Sequence, residues 1–297
     1  MKKLLFIINP MAGRQQAQTD LYKMVKIFAD HDYEVTVYPT RARLDCTRKV
    51  LEDAGRFDLV VCCGGDGTLN EMVSGMMQRQ DRRPMGYIPL GSTNDLAVSL
   101  RLPTRVEEAA LRAVTGNEFH MDVGTLNDRY FNYIAAFGAF TETSYATPQS
   151  IKNALGHTAY VLEGIQELSQ IRKEHIKMII DGEEVEDDFL FGAICNSTSV
   201  GGILTLDPEV VDLQDNKLEI LLVRAPKNLA EIHECIVALN TQKYNCAMLT
   251  FRSATHIRIF ADPDMPWTLD GEREEGHSEV EVVPEHLAYR LMKRVQP

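Results

Sequence analysis

Residues 59–71 constrain this chain more than any other stretch. Leu59-Val60-Val61-Cys62-Cys63 is an unbroken apolar run, the pattern of a strand buried on both faces. Gly64-Gly65-Asp66-Gly67 then forms a turn. Thr68 and Glu71 stand at capping-box spacing, which predicts a helix starting there. Leu69, Met72, Val73, Met76 and Met77 recur with helical period and read as its core face. Strand, glycine turn and helix N-terminus together make an anion site, because free backbone N–H groups and the helix dipole both favour negative charge.

The flanking segments alternate in kind. Leu4–Ile8 reads as a strand, Asn9-Pro10-Met11-Ala12-Gly13-Arg14 as a loop, and Leu21, Met24, Val25 and Phe28 as one helix face. Tyr33, Val35 and Val37 alternate as a second strand ending at Thr40, and a helix is expected over 47–54. Met85–Leu90 is a further strand, Gly91-Ser92-Thr93-Asn94-Asp95 a second glycine-led turn opening a helix, and 106–115 another helix. Alternating strands and helices imply a parallel sheet with ligands at its C-terminal edge.

Beyond Val123 the pattern becomes mainly antiparallel β. Hairpins are expected around Asn127-Asp128 and Asp181-Gly182, with strands at 175–180, 189–195, 218–223, 247–251, 254–260, 280–283 and 287–291. Helices are expected over 151–171 and 229–239. The division is therefore a nucleotide-binding α/β domain over 1–123 and a β-rich substrate domain over 124–297, whose last strands can return to the first domain.

The chain has 297 residues and a net charge of −12, which argues against a nucleic-acid partner. The six cysteines include no C-x-x-C pair and read as small apolar residues of a reducing compartment. The N-terminal apolar run is too short for a signal peptide, and no run approaches the roughly 20 residues of a membrane span. The expectation is a soluble, cytoplasmic protein. The basic groups Arg79/Arg82/Arg83, Arg101/Arg105 and Arg290/Lys293/Arg294 read as solvated faces, any one of which could serve as a docking patch.

An aspartate inside a phosphate turn makes sense where Mg²⁺ or a reacting hydroxyl lies between the two. The chain has neither a P-loop G-x-x-x-x-G-K-[ST] nor a G-x-G-x-x-G after its first strand. It does carry, in order, Asn9-Pro10-x-Ala12-Gly13, Gly64-Gly65-Asp66-Gly67-Thr68 and Pro89-x-Gly91-Ser92-x-Asn94-Asp95-x-Ala97. Asp122-Val123-Gly124, Gly201-Gly202, Asp215-x-x-Leu218 and Leu269-Asp270-Gly271-Glu272 follow. This ordered set resembles the diacylglycerol kinase catalytic-domain family, which includes sphingosine and ceramide kinases. One glycine turn is shared with NAD kinases and phosphofructokinases; the series is more specific. Ser92 stands where the family usually has threonine, and Asn216 where it usually has glycine.

The resemblance implies an ATP and Mg²⁺ site. Its nucleotide contacts would be Asn9, Thr40, Gly65, Asp66, Gly67, Thr68, Leu69, Asn70, Glu71, Ser92, Asn94 and Asp95. Asp66, Asp95 and Asp122 would organise the metal and the hydrogen bonds behind it. Asp212, Asp215 and Lys217 would form a structural Mg²⁺ loop, with Asp215 as the direct side-chain ligand and backbone carbonyls completing a hydrated shell. Glu272 or Asp270 would take the proton of a lipid hydroxyl, and the choice between them stays open. The second Asp-Gly-Glu, at 181–183, reads as an ordinary hairpin.

The implied activity is transfer of the ATP γ-phosphate to a lipid alcohol in phospholipid metabolism. It would be performed in the cytoplasm, with transient peripheral contact at the inner face of the membrane; a homodimer stays open. The alternatives are an NAD kinase-like enzyme and a non-catalytic lipid- or nucleotide-binding regulator.

Overall fold

A computed structural model describes residues 1–138, 172–200, 204–207, 209–241, 244 and 246–294. The helix expected over 151–171 and the Gly201-Gly202 motif lie outside the described residues. The chain divides into two compact units, one of residues 1–123 with 286–297 and one of residues 124–285.

The first unit is an α/β layer. Strands β1 (Lys2–Ile8), β2 (Tyr33–Pro39), β3 (Leu59–Gly64) and β4 (Met85–Pro89) lie in the order β2-β1-β3-β4, all parallel, and the end of β17 (Glu279–Lys293) joins beside β4 with Leu291 opposite Met85. The central strands β1 and β3 are covered on both sides, which explains their unbroken apolar sequence. On one face, Phe6, Val61 and Ile88 pack against Met24 and Phe28 of α2 (Leu21–Asp30) and against the alanines of α6 (Val106–Thr115). Phe6 and Phe28 meet edge to face at 5.2 Å. The predicted methionine stripe of α4 (Asp66–Met77) is fully in the core. Edge strand β2 leaves Val37 exposed. Short α1 (Gln16–Thr19), α3 (Asp45–Asp53), α5 (Asp95–Ser99) and β5 (Asn117–Leu126) complete this part of the chain.

The second unit is antiparallel. Strand β9 (Glu183–Cys195) pairs through its first half with β8 (Glu174–Ile180), and its second half lies between β7 (Ile134–Gly138) and β12 (Leu218–Arg224). Strand β13 (Leu249–Ala254) extends the sheet beyond β12, and β14 (Ile257–Phe260) joins β8 to the first half of β17. Strands β15 (Trp267–Leu269) and β16 (Glu272–Glu274) form a hairpin on β7. Short β6 (Arg129–Phe131), the pair β10 (Ser199–Val200) and β11 (Leu204–Thr205), and α7 (Leu229–Thr241) make up the rest. Trp267 is fully buried against Phe137, with ring centroids 5.2 Å apart.

Several expectations change. The strands expected at 280–283 and 287–291 are one continuous strand, since the fixed φ of Pro284 suits extended backbone. The second strand of the hairpin expected around Asn127-Asp128 is interrupted at Asn132-Tyr133, because these N–H groups turn to the Asp270 carboxylate. Helix α4 starts at Asp66 with extended Gly65 as its cap, so the Thr68–Glu71 capping box does not form. Arg79, Arg82 and Arg83 are not a solvated face: Arg79 donates to the Leu51 carbonyl, Arg82 to that of Ala288 and Arg83 to that of Gly55.

Candidate active site

Two glycine loops meet at the C-terminal edge of β3 and β4. A Cβ on Gly91 would sit 2.7 Å from the Gly65 Cα and 2.6 Å from Asn94 Oδ1, so this approach is open only to glycine. Gly64 is held bare by Thr68, whose hydroxyl would lie 2.3 Å from a Cβ there. Asn94, in the left-handed region at φ 55°, then ties the second loop. Its Oδ1 accepts the Gly91 N–H at 2.8 Å and its Nδ2 donates to the Gly91 carbonyl at 2.8 Å. Tyr87 donates its hydroxyl to the same Oδ1 at 3.2 Å.

Asp66 joins the loops. Its Oδ2 accepts the backbone N–H of Asn94 at 2.8 Å. Its Oδ1 is buried and has no hydrogen-bond partner among the described residues. Burial and the neighbouring Asp95 charge push the Asp66 carboxyl up to about 6, against the lowering effect of the Asn94 N–H. Outside its own helix backbone and chain neighbours, a Cβ on Gly67 would meet nothing within 4 Å. An orphaned carboxylate oxygen, a depressed tendency to ionise and open space over the helix start fit a cation together with a phosphate chain. Asn9 borders the same loop: its Nδ2 lies 3.5 Å from the Thr68 hydroxyl and its Oδ1 accepts the Met11 N–H.

In the second unit, Asp270 and Gly271 form the two-residue turn of the β15–β16 hairpin, both at positive φ (49° and 82°). The Asp270 carboxylate is only 4 % exposed and is enclosed by donors. It accepts the backbone N–H groups of Asn132 at 2.6 Å, Tyr133 at 3.0 Å and Ile134 at 3.1 Å, and the Asn132 side-chain amide at 3.1 Å. Burial raises its pKa to about 6, opposed by those N–H groups. Glu272 follows as the first residue of β16 and is half-buried.

Comparison with known proteins agrees with this architecture. Residues 3–126 match the diacylglycerol kinase catalytic domain, and residues 140–290 match the YegS C-terminal NAD kinase beta sandwich-like domain. A diacylglycerol kinase of Bacillus subtilis is 32 % identical over 92 % of this chain and 90 % of its own. The chain belongs to the diacylglycerol kinase family. A diacylglycerol kinase of Staphylococcus aureus is 29 % identical over 91 % of this chain and 86 % of its own. A Bacillus anthracis str. Sterne structure assigned as a diacylglycerol kinase superposes with a TM-score of 0.82 at 25 % identity, covering 99 % of this chain and 95 % of the other. The family consists of lipid kinases, and membership makes this chain an enzyme of that class.

Within this family member the other expected residues are distributed as follows. Thr40 closes β2, its N–H bonded to the Ile8 carbonyl at 2.9 Å. Leu69 is buried in the core, so only its backbone is available to a nucleotide. Ser92 is exposed at the tip of the second loop, and Asn70 accepts the Ser74 hydroxyl. The Glu71 carboxylate accepts the N–H groups of Leu44 at 2.8 Å and Cys46 at 3.1 Å, so it caps α3. Asp122 is fully buried; its Oδ1 accepts the Leu287 N–H at 2.7 Å and lies 3.0 Å from His286 Nδ1.

In the 212–217 loop, Asp212 accepts the Gln214 N–H and Asp215 that of Lys217, both at 3.0 Å, with Asn216 at φ 61°. Among the described residues no three His, Cys, Asp or Glu side chains converge on a metal position. A cation here would depend on one carboxylate, carbonyls and water. Sequence reasoning missed two residues of note. Asn132 holds Asp270, and its only sequence signal is its place beside the hairpin. Glu219 is a fully buried carboxylate on β12 with Oε2 unpartnered, Oε1 3.3 Å from the Ser253 hydroxyl and a pKa raised by burial to about 8.

Proposed function

We propose that this chain transfers the γ-phosphoryl group of ATP, with Mg²⁺, to the hydroxyl of a lipid alcohol such as diacylglycerol. The observation that carries the proposal is the buried, unpartnered Asp66 Oδ1 between two glycine loops, where the protein's own donors end.

Bound Mg²⁺ would neutralise phosphate charge during transfer. Asp66 would hold it, with Asp95 as the adjacent carboxylate and Asn94 fixing the Asp66 orientation. The N–H groups of Gly65, Gly67 and Thr68 at the start of α4, with the Ser92 hydroxyl, would cradle the phosphates, and Asn9 and Thr40 would bound the nucleotide. Asp215 would bind the structural cation of its loop, with carbonyls near Asp212 and Lys217.

At the acceptor, Asp270 is saturated with N–H donors and serves as the positioning residue. Glu272 is the base. Its carboxylate takes the hydroxyl proton as the lipid oxygen forms its bond to the γ-phosphorus. The bond from that phosphorus to the β–γ bridging oxygen breaks, and ADP leaves with the electron pair. A lipid hydroxyl lies in a bilayer, so the enzyme works from the cytoplasm at the membrane's inner face. Among the described residues no helix is long and apolar enough to cross it.

Labelled ATP and a total lipid extract test this reading. A labelled phospholipid that requires Mg²⁺ supports it. Formation of NADP from NAD, with no labelled lipid, would replace it with the NAD kinase-like alternative.

A further inference from the structure

Helix α4 serves two places in the first unit. Its start forms the glycine cradle at the end of β3, and a turn further on the Glu71 carboxylate reaches a loop at the end of β2. The strand order is β2-β1-β3, so Ile8 stands between Pro39 and Cys63. Thr40, just past β2, is therefore two strand spacings from the cradle, about 10 Å. On the ATP reading, a nucleotide with its phosphates over Gly65–Thr68 extends past Asn9, and its ribose and base come to Thr40 and the loop behind it.

That loop, residues 40–44, ends in a strained residue. Leu44 occupies the N-cap position of α3 but has no polar side chain to cap it, sits at φ 64° and is 58 % exposed. A leucine in the left-handed region persists only where its surroundings fix it, and such residues gather at ligand clamps. Two carboxylates fix it here. Glu71 Oε1 accepts the Leu44 N–H at 2.8 Å and Oε2 accepts the Cys46 N–H at 3.1 Å, which satisfies open donors at the start of α3. Asp45 closes the loop from within. Its Oδ2 accepts the Arg41 N–H at 2.9 Å, and the Tyr38 hydroxyl lies 3.0 and 3.1 Å from its two oxygens. Arg48 holds the same carboxylate at 2.6 Å.

The tie between α3 and α4 is close. Thr47 donates its hydroxyl to the Glu71 carbonyl at 2.9 Å, and a Cβ on Gly75 would sit 2.8 Å from the Thr47 carbonyl oxygen. One helix thus fixes the cradle at its first turn and the loop at its second. Each Glu71 oxygen already meets a backbone N–H, so the carboxylate is committed to the loop and not to a phosphate or a metal.

We infer that Glu71 is a positioning residue for the nucleoside end of the substrate. It holds residues 40–44 at a set distance from the phosphate cradle and does not itself touch the nucleotide. The inference rests on the ATP reading of the cradle and is independent of the lipid acceptor.

Calorimetric titration of the full chain with ATP and with tripolyphosphate, each with Mg²⁺, tests it. Tripolyphosphate offers the phosphates without the nucleoside, and wild type is expected to bind both. Glu71→Gln sets an amide against one of the two N–H groups and loosens the loop. It should weaken ATP binding about tenfold or more and leave tripolyphosphate unchanged. Glu71→Asp keeps the charge but is too short to meet both N–H groups, so its ATP affinity should fall between; it decides the matter if the Gln variant does not fold. Phe28→Leu, a core change on α2 away from the loop, should lower the melting temperature and leave both affinities at wild-type values.

Equal weakening of ATP and tripolyphosphate by the Glu71 variants would overturn the inference, because Glu71 would then act on the phosphates. Wild-type ATP affinity in those variants would overturn it too, as would the same ATP loss in Phe28→Leu, which would make the effect one of stability alone. Failure of wild type to bind ATP would remove the inference together with the ATP reading. ATP binding with no transfer to any lipid would remove only the lipid-kinase reading, and the two affinities would still decide the role of Glu71.

Discussion

Asn94 donates its backbone N–H to Asp66 Oδ2 at 2.8 Å, which fastens the second glycine loop to the acidic residue of the first. One oxygen of Asp66 is thus used in building the cradle, and the other is buried with nothing from the described protein to meet it. On the proposed reading, Asp66 is at once a structural tie and the point where a ligand would complete the structure.

Two glycines separate these roles. Gly91→Ala places a methyl 2.7 Å from the Gly65 backbone. It should cost about 1–3 kcal/mol of stability, as overpacking does, and should raise the KM for ATP. The methyl of Gly67→Ala meets nothing within 4 Å outside its own helix backbone and chain neighbours. Its thermal melt should match wild type while its KM for ATP rises, because the added methyl enters the space assigned to phosphate. Melts and ATP titrations of the two variants check this contrast.

Asp270 and Glu272 should also separate. Asp270→Asn gives one oxygen position to an amide that faces N–H donors, leaving buried donors unpaired. A loss of about 2–4 kcal/mol is expected, read by urea unfolding. Glu272→Gln should unfold within about 0.5 kcal/mol of wild type and yet lose about 100-fold or more in kcat. If Glu272→Gln kept full turnover, Asp270 would have to be reconsidered as the base.

Asp66 is raised to about 6, so it takes up a proton as pH falls through that value and ceases to attract a cation. The acid limb of kcat/KM should therefore lie near pH 6. If Asp66 holds Mg²⁺ as proposed, protons and Mg²⁺ compete for one carboxylate, and raising Mg²⁺ should move that limb to lower pH. Measuring kcat/KM against pH at two Mg²⁺ concentrations checks both statements.

Glu219 gives a pH dependence of stability. Its folded pKa of about 8 stands above the ordinary 4.5. Below pH 4.5 the carboxyl is neutral in both states and nothing is lost. As pH rises toward 8 the unfolded state releases its proton first, so the folded state loses stability across that window. Glu219→Gln cannot ionise. Its stability relative to wild type should grow from pH 4.5 to 8, by up to about 5 kcal/mol, in urea unfolding at the two ends.

Much of this was legible in the chain. The buried strands β1 and β3, the methionine face of α4 and both glycine turns follow from period and glycine placement, which are local signals. The helix start at Asp66 was displaced by two residues, because extended Gly65 caps the helix through its backbone and leaves no side-chain signature. Glu71 carried a capping-box spacing but caps α3, a contact made 25 residues away in sequence. The two Asp-Gly-Glu turns look alike in sequence and share one conformation. At 181–183 the Asp181 carboxylate binds the N–H groups of Thr255 and His256 in an exposed corner. Asp270 does the same for residues 132–134, but buried. Burial comes from the pairing of β15 with β7, a contact more than 100 residues away in sequence that no local pattern announces.

The most direct test is Mg²⁺-dependent transfer of ³²P from γ-labelled ATP to diacylglycerol in mixed micelles, measured for wild type, Asp66→Asn and Glu272→Gln. The account expects labelled phosphatidic acid from wild type and about 100-fold less or lower from each variant, with both variants folded. Wild-type yields of labelled lipid from Asp66→Asn, or undiminished transfer after Mg²⁺ is chelated, would contradict it.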